Sequence, residues 1–409
     1  MIPDTPLSSR AAFQAPWRIP DRNFSDSKVA DSMEDPMANL DATMQKAERE
    51  MVKQAEVYKS PYERWKEAEG LPTVRGYFVK NLLKLELAPW KSSGDGAAAI
   101  INLEGTGGFN DAYVAEIPPG KSLKPHKHLF EETIYILKGQ GATSVWLDEN
   151  RKQTFEWHAG SYFAIPMNAW HEHFNASGTE PARYVAMTSA PRVIDTFDNH
   201  KFVFENPFVF EDRFNAEEGY FRESDRKLDQ RRWQTNFVAD VMACQMNEGG
   251  RGIGVKSLGF ALVNGTMKSH SSFWPIGTYK KAHRHGPGIH VVILKGHGYS
   301  LMWQEGKPIE RIDWEPGSVF VPPEMWFHQH FNTGNDPVLF LAIGWGSDKP
   351  KAGGKQYVYK SVKEGGDQIE YEEEDPAIHR DYEAALAAQG VTCRMGGKHP
   401  FCTARAEAA

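Results

Sequence analysis

From Tyr77 the chain alternates short apolar runs with Gly, Pro and Asn: YFVKNLLKLELAPW, AAAIINLEG, DAYVAEIPPG, GATSVWLDE, QTFEWHAG, SYFAIP, HEHFNASG and ARYVAMTSA. Many short strands with turn signals at this spacing predict an all-β barrel or sandwich. Upstream, DPMANLDATMQKAEREMVKQAEVYKSPYERWKEAEG sets Met, Ala, Val and Tyr among charges at helical intervals and ends at Gly70 and Pro72. That pattern predicts a helix, or two broken near Ser60-Pro61, and residues 1 to about 30 read as an arm without periodicity. Beyond Trp345 the chain turns polar. The run EYEEED reads as solvated surface, because consecutive carboxylates diverge. A helix is expected from Pro376 to Gly390, and CRMGGKHPFCTARAEAA reads as a mobile tail.

The strand-rich region is written twice. His126-Lys127-His128 recurs as His283-Arg284-His285, and Gly120, Gly139, Gly160, Pro166, His171, His173 and Asn175 recur as Gly277, Gly296, Gly317, Pro323, His328, His330 and Asn332. Each pair lies 157 positions apart, as 283 is from 126. YFVKN near Tyr77 has a weaker echo in NFVAD near Asn236. The repeat predicts a duplicated fold. The boundaries expected are 1–74 for the arm and helix, 75–190 for the first barrel, 191–232 for a connection, 233–346 for the second barrel, and 347–409 for the acidic segment, helix and tail. The connection is dense in Phe, so it is expected to pack across both barrels.

In the first copy His126, His128 and Glu132 occupy even positions, so on an uninterrupted strand their side chains leave one face. His171, in the later segment WHEHFN, supplies a fourth donor. Two imidazoles and a carboxylate from one hairpin, with an imidazole from a later strand, form a mixed N/O set for a divalent metal ion. Fe(II), Mn(II), Ni(II), Cu(II) and Zn(II) all suit it, and ligand type alone does not choose among them. The second copy offers His283, His285 and His328, with Ile289 where Glu132 stands in the first. A bulge at Gly286-Pro287-Gly288 would turn His290 inward as a further ligand; otherwise its parity points it away. His173 and His330 share parity with the late ligands, as partners behind the metal, substrate contacts or satisfied core histidines. His158, His200, His270, His297, His379 and His399 have no convergent partner in the sequence. The structural alternative is a metal-free barrel whose histidines make core hydrogen bonds.

Composition narrows the class. The chain has 409 residues, 40% hydrophobic and 12% aromatic, enough for more than one core. A formal charge of -7, from 54 acidic and 47 basic residues, argues against nucleic acid as a partner. The absence of long apolar runs argues against a membrane, and the opening MIPDTPLSSRAAF lacks the pattern of an export signal. Cys244, Cys393 and Cys402 are too few and scattered for a disulfide framework, which fits a reducing cytoplasm, and none has a chemical role from sequence.

The spacing Gly120-x5-His126-x-His128-x3-Glu132-x6-Gly139, then Gly160-x5-Pro166-x4-His171-x3-Asn175, resembles the two boxes of the cupin family. Asn168 and Met325 stand where cupins usually carry Gly, and the second copy departs further with Ile289 in place of the Glu. The resemblance implies two tandem double-stranded β-helix (jelly-roll) barrels, with N-terminal and C-terminal helical extensions and metal ligands in the barrel mouths. WHEHFN, FHQHFN and AHRHGPG further resemble segments of gentisate and hydroxynaphthoate dioxygenases, bicupins that hold Fe(II) with three histidines. What this implies is a dioxygenase acting on a small aromatic or hydroxylated acid, in a chain that assembles as a homo-oligomer. A metal-dependent isomerase, decarboxylase or lyase, or a ligand-binding or regulatory cupin without catalysis, fits the same boxes. Three ligands leave three positions of an octahedron for a chelating substrate and O₂, whereas four leave two. By that count the second site suits an oxygenase better and the first holds metal better.

Overall fold

A computed structural model describes residues 44, 46, 58–148, 150–222, 227–229, 231–344 and 360–404. Of the helix expected ahead of Ser60, Met44 and Lys46 are described and helical, and Tyr58 and Lys59 are described and not helical; the rest of it, and the arm, lie outside the described residues. The chain divides into two units, Met1–Tyr58 and Lys59–Ala409, and both barrels belong to the second.

A helix over Pro61–Glu69 begins where Ser60 Oγ accepts the Glu63 N–H at 3.2 Å and Pro61 occupies the first turn; it stops at Gly70, which takes a left-handed φ of 70°. The barrels come after it. In the first, the larger sheet runs Thr73–Val74, Ala97–Ile101, Asp111–Ile117, Ala182–Thr188, Glu132–Lys138, Tyr162–Ile165 and Phe237–Val238; the smaller runs Trp170–Asn175, Gln140–Trp146 and Lys152–His158. The second barrel repeats this order with Arg232–Thr235, Lys256–Leu262, Lys268–Trp274, Val338–Gly344, Ile289–Lys295, Val319–Phe320 and Phe78–Val79, opposite Glu310–Trp314, Gly298–Trp303 and Phe327–Asn332.

The end members of these sheets are exchanged. Phe78–Val79, which falls between Thr73–Val74 and Ala97–Ile101 of the first barrel in sequence, pairs with Val319–Phe320 of the second. Phe237–Val238 pairs with Tyr162 and Phe163 of the first. The YFVKN and NFVAD echo is therefore the pair of crossed strands that tie the barrels together, with Leu82 N donating to Gly317 O at 2.8 Å and Val241 N to Gly160 O at 3.0 Å.

Parity explains why the ligand strands read as near-continuous apolar runs. Ile134 and Ile136 fill the first barrel with Val145, Phe163 and Tyr184, while Tyr135 faces a core shared by both barrels. In the copy, Ile289, Val291 and Ile293 enter the second barrel and Val292 faces the shared core, beside Leu258, Phe260 and Leu341. A sheet buried on both faces has no polar side to show. Each fully buried side chain of this kind contributes about 1.5–3 kcal/mol, so the two large sheets hold each other face to face.

The aromatic connection packs as expected at Phe214 and Phe221, in the first barrel's core, and at Tyr220, which reaches the shared core; it also forms helices over Ala190–Phe197 and His200–Phe204. At the other end, the helix over Pro376–Ala388 begins and ends where the sequence places it. The segment after it is packed rather than mobile, with Met395 fully buried and His399 nearly so. Among the described residues no helix is long and apolar enough to cross a membrane.

Candidate metal centres

His126 and His171 sit directly opposite each other on neighbouring antiparallel stretches of the chain. Their backbones exchange both hydrogen bonds, His126 N to His171 O at 3.1 Å and the reverse at 2.9 Å, so the two imidazoles leave the same face with ring centres 4.1 Å apart. His128 joins them, and one ring nitrogen from each of the three lies within 4.8 Å of the others. Glu132 opens the next strand on the same face, its Oε2 3.4 Å from His128 Nε2 and 3.6 Å from His171 Nε2. The four donors read from the sequence are brought together.

The proton positions suit a cation. His126 Nδ1 lies 2.9 Å from Lys124 O, His128 Nδ1 2.9 Å from Phe130 O and His171 Nδ1 3.1 Å from Ala169 O. A carbonyl only accepts, so each Nδ1 carries its hydrogen and each Nε2 is free to bind metal. Glu132 Oε2 and His171 Nε2 are buried and receive no hydrogen bond, an arrangement that is costly without a cation. Glu132 Oε1 accepts the Tyr113 hydroxyl, which fixes the carboxylate plane. Burial raises the Glu132 carboxyl, but His128 and Tyr113 outweigh it and hold the group down at about 2. Burial and neighbouring imidazoles push His126 and His171 below the usual histidine range.

The second centre repeats the framework. His283 and His328 exchange backbone bonds at 3.0 and 2.8 Å, and His283, His285 and His328 converge within 4.8 Å. Their Nδ1 atoms lie 3.2, 2.7 and 3.1 Å from the carbonyls of Lys281, Gly286 and Trp326. His290 does not join them. The pairing of its strand is regular from Ile289 to Ile293, which keeps His290 on the face away from the ligand set, and His290 Nδ1 lies 3.3 Å from Asn110 Nδ2 of the first barrel. The surround is cationic. Burial, then the charge of Arg251, depresses His283, and the same two causes hold His285 down to about 4. Lys280, buried where the first barrel has Leu123, bonds Ser272 Oγ at 3.1 Å and lies over the Phe340 ring.

His173 and His330 stand behind the late ligands, each held by a device that the sequence reading missed. Thr143 Oγ1 lies 2.8 Å from His173 Nδ1 and accepts Trp157 Nε1 at 2.9 Å; Ser300 Oγ lies 2.8 Å from His330 Nδ1 and accepts Trp314 Nε1 at 3.0 Å. Thr143 with Ser300, and Trp157 with Trp314, obey the 157-residue offset, which is the signal that would have found them. His173 Nε2 is buried without a partner, close to Glu132 and His171.

The two departures from the usual glycine of the cupin boxes carry the geometry that glycine would give. Asn168 and Met325 adopt φ of 59° and 58°, and their N–H groups donate to His128 O and His285 O, both at 2.9 Å. His379 and His399, which have no partner in the sequence, converge with Glu374 in a third buried cluster. Glu374 belongs to the EYEEED run, so that run is not wholly solvated surface.

Comparison with known proteins agrees with this architecture. Residues 113–188 match the cupin domain family. The second barrel repeats that topology strand for strand, so the chain carries two tandem barrels of one architecture, the first of which holds the matched residues. Among curated proteins it is similar to glucose-6-phosphate isomerase of Thermococcus gammatolerans, 36% identical over 91 residues, which are 22% of this chain and 44% of that one. The counterpart from Pyrococcus abyssi is 42% identical over 52 residues, 13% of this chain and 28% of the relative. The match thus spans less than half the length of these relatives. Among solved structures, oxalate decarboxylase of Bacillus subtilis is 15% identical, with a TM-score of 0.43 over 67% of this chain and 78% of that one.

Proposed function

We propose that the chain is a non-redox metalloenzyme whose first centre holds a divalent ion and acts on a small hydroxylated or carbonyl-bearing substrate, as an isomerase, decarboxylase or lyase. The observation that carries this reading is Glu132, a buried carboxylate held low in pKa beside the three imidazoles and fixed by Tyr113. His126, His128, Glu132 and His171 would hold the ion, which when bound supplies Lewis acidity toward a substrate carbonyl or hydroxyl. Four protein donors leave room for a chelating substrate but not for a chelate together with O₂. The partial likeness to isomerases supports the same class.

The remaining work falls to the chain. Tyr113 keeps Glu132 in one orientation, so that Oε2 alone faces the imidazoles. His173, held to about 4 by burial, is neutral near pH 7, and its partnerless Nε2 is the group placed to exchange a proton with bound substrate. Phe130 stacks on the His128 ring at 3.7 Å and keeps water from that side. The test is turnover of hydroxy acids, oxo acids and sugar phosphates under anaerobic conditions, with iron replaced by Mn(II) or Zn(II). Undiminished turnover is expected, and a strict requirement for O₂ and iron overturns the reading.

One observation favours a second reading, the small-acid dioxygenase. The second centre keeps three imidazoles, lacks the carboxylate, and has Arg251 and Lys280 nearby, which suits an anionic substrate. Substrate-dependent O₂ uptake that disappears in His328→Ala and survives Glu132→Ala would establish it over the first.

A further inference from the structure

The third buried cluster lies outside both barrels, where residues 371–402 pack on Tyr279 and Phe331. Glu374 is its anchor. Its Oε1 accepts the Tyr279 hydroxyl and lies 2.9 Å from His399 Nε2, and its Oε2 accepts Gln329 Nε2 at 3.0 Å. His399 Nδ1 accepts the Phe401 N–H at 3.3 Å, so the His399 proton sits on Nε2 and points at Glu374. The Tyr279 hydroxyl donates its hydrogen to Glu374, so its oxygen, 2.8 Å from His399 Nε2, accepts from His379 Nδ1 at 3.1 Å. This order of donors leaves His379 Nε2 as a bare lone pair.

That lone pair faces further donors. Glu383, one turn along the helix, places Oε1 3.3 Å from His379 Nε2. Cys402 Sγ is 3.7 Å from the same oxygen, and Cys393 Sγ is 3.5 Å from Cys402 Sγ. One donor atom from each of the four residues lies within 4.8 Å of the others. As thiols the two sulfurs act as donors, Cys402 to Glu383 and one sulfur to the other; with those protons released, the same two sulfurs, imidazole nitrogen and carboxylate oxygen make a mixed S/N/O ligand set for one cation.

The separations identify the cation. Zinc bonds of about 2.3 Å to sulfur and about 2.0–2.1 Å to nitrogen and oxygen, at tetrahedral angles, give edges of about 3.8 Å between sulfurs, about 3.3 Å from nitrogen to oxygen and about 3.6 Å from sulfur to oxygen. The observed 3.5, 3.3 and 3.7 Å follow those edges. A disulfide would need sulfurs about 2.05 Å apart. We propose that His379, Glu383, Cys393 and Cys402 form a structural zinc site, with Tyr279 and Glu374 orienting the histidine ligand from behind. Both thiols bind as thiolates and release their protons to solvent.

The site staples the C-terminal segment to the second barrel. Arg394 N donates to Gly277 O at 2.9 Å, and a Cβ at Gly277 would stand only 2.3 Å from Thr392 O, so the glycine admits the segment next to Cys393. The same C-terminal region reaches the second metal centre. Ile369 N donates to Ala282 O at 2.9 Å, Arg284 N to Asp367 O at 3.0 Å, and Gln368 bridges to His283. Zinc at the outer site therefore steadies one wall of the inner one.

The whole chain, purified under reducing conditions, tests this by elemental analysis and by Co(II) substitution. Thiolate-to-cobalt charge transfer in the near ultraviolet is the diagnostic signal, because neither barrel centre contains sulfur. We expect that band, and one tightly held zinc per chain, to persist in a His126→Ala, His283→Ala double variant and to vanish in Cys393→Ser and Cys402→Ser. If the serine variants fail to fold, the band in the unaltered protein decides alone. Its absence from folded cobalt protein, zinc content unchanged by the serine variants, or a Cys393–Cys402 disulfide in freshly reduced and purified protein overturns the proposal.

Discussion

The two barrel mouths share one backbone and differ in charge. Each presents three imidazoles through the same paired-backbone device, each Nδ1 turned to a carbonyl. Around them the first barrel buries Tyr113 and Glu132, and the second buries Lys280 and has Arg251 close by. A duplicated fold can thus keep its ligand geometry and reverse its electrostatics by changing the side chains that feed the same space. On the proposed reading the first mouth would hold a cation more tightly, and Arg251 would favour an anion at the second, where burial and Arg251 press the Lys280 ammonium well below the usual lysine range. The segment leaving each barrel also frames that barrel's mouth. Lys127 Nζ and Asn168 Nδ2 bond Asn206 O at 2.6 and 2.9 Å beside the first site, as Asp367 and Gln368 do beside the second.

Ligand removal should separate the mouths most sharply. His126→Ala is expected to empty the first centre and leave the second loaded, and His283→Ala the reverse, since the sets share no residue. Losses beyond the roughly 100-fold seen for partners behind the ligands are expected in metal affinity, read by elemental analysis after dialysis. If either variant empties both centres, the barrels are not independent and the contrast between them fails.

Next in size is the seam between barrels. Glu131, beside the ligand Glu132 but on the opposite face, is buried and accepts Arg213 Nη1 at 2.8 Å, Thr266 N at 2.8 Å, Thr266 Oγ1 at 2.8 Å and Met267 N at 3.0 Å. Its counterpart by offset is Gly288, which meets the first barrel by backbone alone: Gly288 N donates to Gly105 O at 3.0 Å and Gly288 O accepts Asn110 Nδ2 at 2.7 Å. Glu131→Ala removes the partner of a part-buried guanidinium and of two backbone donors, so a loss of about 1–3 kcal/mol in chemical denaturation is expected. A loss below about 1 kcal/mol would mean that the seam is held by the shared apolar core.

Tyr113→Phe probes the charge contrast itself. Removing the hydroxyl frees Glu132 to rotate and should weaken metal binding at the first centre about 10–100-fold, with the second unchanged, in a competitive chelator titration. Equal weakening at both centres would show that the tyrosine supports the fold rather than the ligand.

Strand parity at 126, 128, 132 and 171 made the ligands legible, because a barrel mouth converts a period of two into convergence. The same parity placed His290 outside, where the structure has it. Three features were not legible. The crossed strands Phe78–Val79 and Phe237–Val238 look like ordinary repeat members, since sequence order does not say which sheet accepts a strand. Tyr113 is tied to Glu132 across strands that both pair with Ala182–Thr188 rather than with each other, a neighbourhood that spacing does not encode. The Glu374, His379 and His399 cluster meets only when Tyr279, about a hundred positions earlier, comes between them. Local patterning reports faces of strands and helices; it does not report which distant face will be opposite.

The smallest predicted effect is also the clearest test of how the copies diverged. Asn168 and Met325 hold equivalent left-handed turns, each giving its N–H to a ligand's carbonyl. A left-handed backbone costs a Cβ-bearing residue about 1–2 kcal/mol, and Gly, which avoids this, gives back about 0.5–1 kcal/mol in unfolded-state entropy. Met325 is 38% exposed, so Met325→Gly forfeits little packing and should raise stability by about 0.5–1 kcal/mol. Asn168 is buried, and its amide donates to Asn206 O at 2.9 Å and Phe208 O at 2.7 Å, bonds worth about 1 kcal/mol each. Asn168→Gly should therefore lower stability by about 1–2 kcal/mol, because that turn also fastens the connecting segment beside the first mouth. Opposite signs in the two melting temperatures are the expected result. Equal signs would mean that Asn168 serves the turn alone and that the segment over the first mouth is held elsewhere.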